Sequence, residues 1–444
     1  GFCNIYYLIK EISMSKEENR KNFSKYVSQN ILGMIGFSCY VLADSYFISI
    51  AKGADGLTAL NLVMPLYSII FSIGEMIGVG SAIRYAISKI KKDADADDYF
   101  WNALIWCILS SMLFVFAGIF FSADIMRVLG ADEHIVAVGN NYTKIFMCFA
   151  PMFMCNYVTN AFVRNDGAPG IAMSATLFSS LFNIVFDYIL MFPMNLGMEG
   201  AALATALSPI IGMGICSIHF FSKKSSVKLV VCKPSVRKLV AGSQLGVSAF
   251  VGEMSSAVIT LAFNFVILKL AGNVGVAAYG VVANIAIVTT AVFNGVAQGS
   301  QPLISSCFGR GDKDGCTQLK RMGYTTAFVL AAVMYSILFI FAGQFVAVFN
   351  SEGSEMLRLY ATEGVKLYFI GIFFAGINIV GGGAFSATED AFKAAVVSVA
   401  RGFVLILGAV FVMSAFFGMT GVWLAYAVAE GITTFIMLVM AMRV

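Results

Sequence analysis

The chain has 444 residues, of which 59% are hydrophobic and only 12% are charged, with a mean hydropathy of +0.84. A soluble domain carries about twice that share of charged residues. This composition excludes a soluble protein and predicts a polytopic membrane protein that contacts the lipid bilayer and binds no nucleic acid. The nine cysteines show no metal-ligand spacing and indicate neither a zinc site nor a disulfide framework. No cleavable signal peptide is evident in the first 25 residues.

Apolar stretches long enough to cross a bilayer, about 20 residues each, recur twelve times along the chain. The breaks between them are charged or rich in Gly, Pro and Asp. The predicted spans cover residues 26–50, 57–88, 99–121, 136–162, 168–192, 198–221, 237–270, 275–307, 320–349, 358–386, 391–416 and 419–442.

Lysine and arginine are distributed unequally between the two ends of these spans. If both termini are cytoplasmic, only six of the 29 basic residues fall on the outer side. Arg164, Arg401 and Arg443 are then assigned to the cytoplasmic ends. The positive-inside rule therefore predicts an even number of spans with both termini inside. The six outer residues are Lys52, Arg127, Lys144, Lys269, Arg358 and Lys366.

The two halves of the chain show an internal repeat. "GADGLTALNLV" from Gly53 aligns with "GNVGVAAYGVV" from Gly272 at an offset of 219 residues. "GMEGAALATA" from Gly197 aligns with "GMTGVWLAYA" from Gly418 at an offset of 221, with six of ten positions identical. Six spans are thus repeated in the same orientation. Parallel repeats of this kind are typical of transporters whose halves rock around a central site.

These patterns together predict an all-α integral membrane protein with twelve helices in two six-helix lobes. The lobes are expected to be related by a pseudo-twofold axis along the membrane normal. The predicted organisation is a cytoplasmic tail (1–25), a first lobe (26–221), a basic linker (222–236) and a second lobe (237–444).

Five acidic residues fall inside predicted spans, and we expect no lysine or arginine deep in a span to pair with them. They are Asp44, Glu75, Asp187, Glu253 and Glu430. Ionisable residues are costly in a bilayer and usually face a cavity or an ion path. For Glu430 a structural partner is as good an explanation as a functional role.

Polar residues collect in the first half of the chain. Span 1 carries Tyr40 and Asp44, and span 5 carries Asn183 and Asp187, each pair one helical turn apart on one face. The remaining members are Tyr142, Asn156 and Asn160 in span 4 and Thr205 in span 6. Carboxylate, amide and hydroxyl oxygens suit a hard cation such as Na⁺. Two neighbouring carboxylates can also share a proton at neutral pH. The sequence leaves H⁺ and Na⁺ both open.

The alternative is that single polar side chains merely hydrogen-bond between helices, which fits Tyr142, Asn156 or Thr205 taken alone. It fits the two aspartates poorly, because an unpaired carboxylate is expensive in a membrane. The second half has Val404 and Gly408 where the first has Asn183 and Asp187. The polarity is therefore not a requirement of the repeated fold.

Motifs of other function classes do not appear in the sequence. A GxxxxGK[ST] loop is missing, so no ATP-driven step is expected in this chain. His134 and His219 lie far apart, which argues against a metal site or a catalytic triad. We therefore expect a protein that is not an enzyme and needs no cofactor other than a coupling ion.

Several of these stretches carry a family resemblance that extends over the chain from about Phe23. They are "VLADSYFISIAKGADGLTALNLVMPLY", "VRNDGAPGIAMSATLFSSLFNIVFDYIL", "GMEGAALATALSP" and "AYGVVANI…GVAQGSQPLISSCFGRGD". The chain resembles the multidrug and toxic compound extrusion (MATE) family of transporters, in its prokaryotic branch related to the DNA-damage-inducible transporters. The resemblance implies a drug:cation antiporter that exports amphipathic, often cationic, compounds in exchange for H⁺ or Na⁺.

The resemblance also implies roles for individual residues. The cation-coupling network would consist of Tyr40, Asp44, Tyr142, Asn160, Asn183, Asp187 and Thr205, with Na⁺ at Asp44, Asn183, Asp187 and Thr205 if sodium is the coupling ion. Candidates for the substrate cavity are Glu75, Glu253, Asn156, Gln298 and Asn378. Gln29 or Asn30 stands where many members have a proline, so a proline-bend mechanism does not carry over. Span 10 offers Asn378 where another branch has an aspartate, which leaves a cation site with Glu253 incomplete.

Two other functions compete with this interpretation. A lipid-linked oligosaccharide flippase of the same superfamily would need basic residues in its cavity to attract pyrophosphate, for example Arg84 or Lys269. A receptor or channel without transport would not explain the repeat or the carboxylate cluster. We expect a monomer that acts on small organic molecules.

Overall fold

The computed structural model describes residues 16–349 and 354–442, which are almost entirely helical and contain no β-strand. The predicted tail as far as residue 15 and Arg443 lie outside the described residues. The first helix already begins at Lys16, ten residues before the predicted span, because Phe23 and Val27 pack into the core of the second lobe.

Twelve spans are formed by the described residues, which confirms the predicted fold class. A bend of 46° divides α4 at Phe149, where Pro151 lies in the first turn of the second segment and removes a backbone donor. The spans are α1 (Lys16–Gly53), α2 (Asp55–Ile90), α3 (Asp98–Val128), α4 (Glu133–Cys148 with Ala150–Asn165), α5 (Pro169–Met191), α6 (Gly197–Phe220), α7 (236–271), α8 (273–310), α9 (Lys313–Ile340), α10 (Glu355–Ala387), α11 (391–417) and α12 (419–442). The short helix Ala342–Phe349 lies between α9 and α10.

Glycines at the repeated positions form the tight reversals between neighbouring spans. Gly53 (φ 59°, ψ −142°) and Gly272 (φ 63°, ψ −157°) have nearly the same backbone conformation, and so does Gly418 (φ 57°, ψ −136°). Residues other than glycine rarely adopt this backbone conformation. Phe263 stacks on Tyr279 with ring centroids 5.0 Å apart, so α7 and α8 are antiparallel neighbours. The repeat seen in the sequence is therefore a repeat of backbone geometry.

Each lobe has its own hydrophobic core. The first is built around Tyr85, Phe146 and Phe162, and the second around Phe293 and Trp423. Two separate cores allow each lobe to remain folded while its position relative to the other changes.

The lobes meet closely at one end of the bundle, which we call the basic end because it carries the α2–α3 loop, the linker and the α8–α9 loop. A Cβ atom at Gly80 of α2 would lie 2.1 Å from the carbonyl oxygen of Gly242 in α7. A Cβ atom at Gly299 of α8 would lie 2.7 Å from the Cα atom of Val27 in α1. Glycine at these positions allows the two backbones to touch.

Charged side chains reinforce the contact at the basic end. Glu389, in the loop between α10 and α11, forms an ion pair with Arg84 of α2 and a second with Lys91 at 3.4 Å. Lys238 of α7 pairs with Asp98 of α3 at 2.5 Å. Glu389 has a left-handed backbone (φ 61°), a conformation that a non-glycine residue adopts at a cost of about 1–3 kcal/mol.

Of the arginines assigned to cytoplasmic ends, Arg164 is buried and Arg401 is half-buried inside α11. The expectation that no basic residue within a span pairs with the acidic residues is therefore wrong. Arg401 pairs with Glu430 at 2.7 Å, with their side chains 15% and 3% exposed. It lies in a π turn, Ala400–Val404, whose extra residue redirects side chains. Arg164 is 4% exposed, because the last turn of α4 is covered where the lobes meet. A structural partner for Glu430 is thus present.

Candidate cation site and inter-lobe cavity

The polar pair of α5 faces α6 inside the first lobe. Asn183 and Asp187 are fully buried and Thr205 is 1% exposed. The Asn183 amide lies 3.1 Å from the Thr205 hydroxyl. With its nitrogen turned toward Asp187, Asn183 donates to Oδ2 of Asp187 at 3.1 Å and accepts from the Thr205 hydroxyl and backbone N–H. This orientation gives both amide groups a partner and links the three side chains into one network.

Asp44 of α1 completes the acidic pair of the first lobe. It lies close enough to Asp187 for the two carboxylates to interact electrostatically. Oδ1 of Asp44 and Oδ1 of Asp187 are both buried and accept no hydrogen bond from the described residues. A buried carboxylate oxygen without a donor is unfavourable, so a proton or a small cation would be stabilised at these oxygens.

Two tyrosines, on α2 and α4, interact electrostatically with the acidic pair. The hydroxyl of Tyr142 shares a short hydrogen bond with that of Tyr67, and both side chains interact electrostatically with Asp44. Tyr40, one turn before Asp44, also lies in reach of both aspartates. Tyr67 was not predicted, because a single tyrosine in an apolar span has no sequence spacing that relates it to Asp44.

Neither asparagine of α4 forms a hydrogen bond with the acidic pair among the described residues. Asn160 donates to the Ala172 carbonyl oxygen at 3.1 Å and to the Thr176 hydroxyl at 3.2 Å. Thr176 precedes Asn183 by seven residues on α5, about 10 Å along the helix. Oδ1 of Asn156 is buried and accepts no hydrogen bond from the described residues. Both asparagines line the cavity between the lobes.

This inter-lobe cavity is lined by four of the five substrate-cavity candidates. Its wall includes Glu75, Asn156, Glu253 and Gln298, together with Tyr40 and Asn160. An adjoining cavity toward the second lobe shares Glu75, Glu253 and Gln298 and also reaches Asn378 and Arg401. Tyr40 connects the cavity to the acidic pair, since it lines the one and lies one turn from Asp44 of the other.

The charges of the cavity wall come from both lobes. Glu75 of α2 accepts a hydrogen bond from the amide of Gln298 at 3.1 Å. Glu253 of α7 is half-buried, lines the same cavity and accepts no hydrogen bond from the described residues. Arg164 donates to Gln298 at 2.7 Å. Two carboxylates face one guanidinium, so the wall carries more acidic than basic groups.

The polar residues of the second lobe are engaged with one another. Asn378 donates to Oε2 of Glu430 at 2.7 Å and accepts from Thr434 at 3.0 Å. Arg401 holds the other oxygen of Glu430 at 2.7 Å. Asn378 is thus bonded to Glu430 and not to Glu253, and a positive charge already neutralises Glu430.

Two repeated lobes of six membrane-spanning helices, with a polar cavity between them, define a multi-pass membrane transporter. The sequence profile of the MatE family matches residues 30–189 and 249–412. The chain therefore belongs to the MatE family.

Curated relatives are similar over most of their length. The chain is 27% identical over 414 residues to the multidrug export protein MepA of Staphylococcus aureus (strain MRSA252), covering 90% of this chain and 89% of that protein. It is 26% identical over 409 residues to MepA of Staphylococcus saprophyticus, with the same coverage.

Solved structures share the fold. An outward-facing MATE transporter of the MOP superfamily superposes with a TM-score of 0.89 at 20% identity and 96% coverage of both chains. A MOP superfamily transporter from Pyrococcus furiosus, described as having a binding pocket of reverse polarity, superposes equally well, with the same identity and coverage. At this identity the likeness concerns the fold alone.

Proposed function

We propose that the protein is a multidrug efflux antiporter that exports amphipathic, often cationic, organic compounds in exchange for H⁺ or Na⁺. The observation that carries the proposal is the buried pair Asp44 and Asp187, each with an oxygen that lacks a hydrogen-bond donor among the described residues. Cation coupling needs a group that a proton or Na⁺ stabilises close to the substrate cavity, and the acidic pair lies one helical turn from Tyr40 of the cavity wall. The multidrug export relatives support the substrate class.

In this proposal the two sites are used in turn. Glu75 and Glu253 attract an organic cation into the cavity between the lobes, and apolar wall residues such as Phe71 and Met34 accommodate its rings. The coupling cation occupies the acidic pair when the cavity faces outward. The basic end lies in the cytoplasm of a bacterial or archaeal cell, and the protein acts as a monomer with both termini inside.

The test is transport by purified protein in proteoliposomes with a pH gradient or a Na⁺ gradient imposed separately. We expect one gradient to drive movement of ethidium or tetraphenylphosphonium, and Asp44→Asn and Asp187→Asn to abolish it. Asp124→Asn is the matched control, because Asp124 is 63% exposed at the far end of α3. Full gradient-driven transport by both variants, or no response of the wild type to either gradient, would contradict the proposal.

Arg164 favours a second candidate, the export of a lipid-linked or other anionic substrate. A buried guanidinium on the wall of the cavity is the kind of basic group that pyrophosphate would need. Arg84 lines a different cavity at the basic end, with Lys91, Arg237 and Lys238. Two carboxylates against one arginine favour the cationic class. Inhibition of ethidium transport by a polyprenyl pyrophosphate, lost in Arg164→Gln, would favour the anionic one.

A further inference from the structure

Gln298 joins the two lobes through both ends of its amide group. It belongs to α8 of the second lobe, and both of its partners belong to the first. Its oxygen accepts from Nη1 of Arg164 at 2.7 Å, and its nitrogen donates to Oε1 of Glu75 at 3.1 Å. Arg164 also donates to Asn30 of α1, at 3.4 Å. A single side chain thus connects α8 with α2 and α4 at the edge of the cavity.

These contacts matter because both partners of Gln298 are charged and buried. Arg164 is 4% and Glu75 is 7% exposed, and Nε of Arg164 has no partner among the described residues. A buried ionised group that loses a hydrogen bond pays a full desolvation penalty. Separation of the lobes at the basic end breaks both bonds of Gln298, so these bonds favour the closed contact.

The same carboxylate is a binding group of the cavity. Gln298 and an organic cation would both reach Oε1 of Glu75 from the inter-lobe space. They therefore compete for this oxygen atom. The amide of Gln298 is neutral, and a cation interacts more strongly with a carboxylate than a neutral donor does. Closed lobes and a cation bound at Glu75 are therefore competing states.

We propose that Gln298 is a positioning residue that displaces an organic cation from Glu75 as the basic end closes. In the open state Glu75 is free to bind the cation that enters from that end. Closure brings Gln298 onto Glu75, lowers the affinity for the cation and favours its release on the other side. Linkage is reciprocal, so a cation bound at Glu75 favours opening of the basic end. This proposal rests on the proposed export of organic cations.

Hydrogen–deuterium exchange of the full protein in lipid nanodiscs, together with ethidium binding by fluorescence anisotropy, tests the proposal. We expect Gln298→Ala to increase exchange in residues 78–90 and 236–250, at the contact between α2 and α7, without any ligand. The same variant should bind ethidium about tenfold more tightly, since a hydrogen bond to a charged group is worth at least about that factor. A purely structural role for Gln298 would not tighten binding.

Ser300→Ala is the matched control. Ser300 lies on α8 two residues further along and is 2% exposed, and its hydroxyl donates to the Ala297 carbonyl oxygen of its own helix. It should leave both measurements unchanged. Glu75→Gln keeps an acceptor for Gln298 but removes the charge, so it should keep slow exchange at the basic end and lose ethidium binding.

Two outcomes would overturn the proposal: wild-type exchange and affinity in Gln298→Ala, or equal changes in Ser300→Ala. Absence of ethidium transport by the wild type in proteoliposomes would instead count against the proposed function. Hydrogen exchange of Gln298→Ala without ethidium would still measure the contact between the lobes in that case. Failure of the proposed function can therefore be distinguished from failure of this inference.

Discussion

Asn183 and Thr205 lie 3.1 Å apart on adjacent helices, and the same amide reaches Asp187 at 3.1 Å. Asn183 is therefore the link through which α6 orients the carboxylate of α5. In the absence of this link, Asp187 would keep its place on the helix but lose the only hydrogen bond that fixes its side chain among the described residues. The position of the acidic pair depends on packing between helices, and not on α5 alone.

Replacement of Thr205 by valine keeps the shape of the side chain and removes its hydroxyl. We expect gradient-driven ethidium transport to fall about tenfold, because the loss of one buried hydrogen bond is worth about 1–1.5 kcal/mol. The control is Thr433→Val, since Thr433 is also fully buried but bonds only the Ala429 carbonyl oxygen of its own helix. Equal transport by the two variants would show that Thr205 does not act through Asn183.

The ion pair between Arg401 and Glu430 is expected to stabilise the second lobe without a role in coupling. Removal of one partner from a buried pair costs about 3–5 kcal/mol, so Glu430→Gln and Arg401→Met should each lower the melting temperature in detergent. The double variant should recover part of the loss, since no charge is left unpaired. A variant that melts like the wild type but loses gradient-driven transport would make Glu430 a transport residue.

Gly80 forms one of the close backbone contacts between the lobes. A methyl group there would lie 2.1 Å from the Gly242 carbonyl oxygen and 2.7 Å from the backbone nitrogen of Gly246, so Gly80→Ala should hold the basic end apart. We expect slower transport and faster hydrogen exchange in residues 236–250. Gly214→Ala on α6 is the control, because a Cβ atom there meets nothing within 4 Å. Wild-type transport and hydrogen exchange in Gly80→Ala would contradict the close contact between α2 and α7.

The ion pairs of Glu389 should also favour the closed basic end, but by less, since the Arg84 and Glu389 side chains are 23% and 24% exposed and water screens them. Glu389→Gln should give a modest increase in hydrogen exchange at residues 78–90. The exchange of charges in Arg84→Glu with Glu389→Arg should restore part of the protection. Glu363→Gln, at the opposite end of the bundle beside Thr420, should have no effect there.

The fold could be predicted from the sequence to a large extent. Spans of sufficient apolar length and the repeated glycines were visible, and the similar backbone angles of Gly53 and Gly272 explain why these glycines recur. The prediction failed for Arg164 and Arg401, because hydropathy places an arginine near a span end without showing which neighbouring helix covers it.

The candidate site divides in the same way. The spacing of Asn183 and Asp187 predicted a shared helix face, and the hydrogen bonds of Asn183 agree with that expectation. Tyr67 and the bridge made by Gln298 could not be foreseen, since their partners are on other helices and far away in the sequence. Asn160 lies on the cavity wall and bonds Thr176, which no spacing within α4 indicates.

Local physical chemistry let the sequence alone determine the class of membrane protein, the number of spans, the reversal points and the acidic residues within the spans. These properties depend on the length of apolar segments, the conformational freedom of glycine and the cost of a carboxylate in lipid. Only the tertiary structure decided which polar groups meet. Arg401 neutralises Glu430 while Asp44 and Asp187 each keep an oxygen without a donor among the described residues, because partners are chosen by packing between helices that the one-dimensional pattern does not contain.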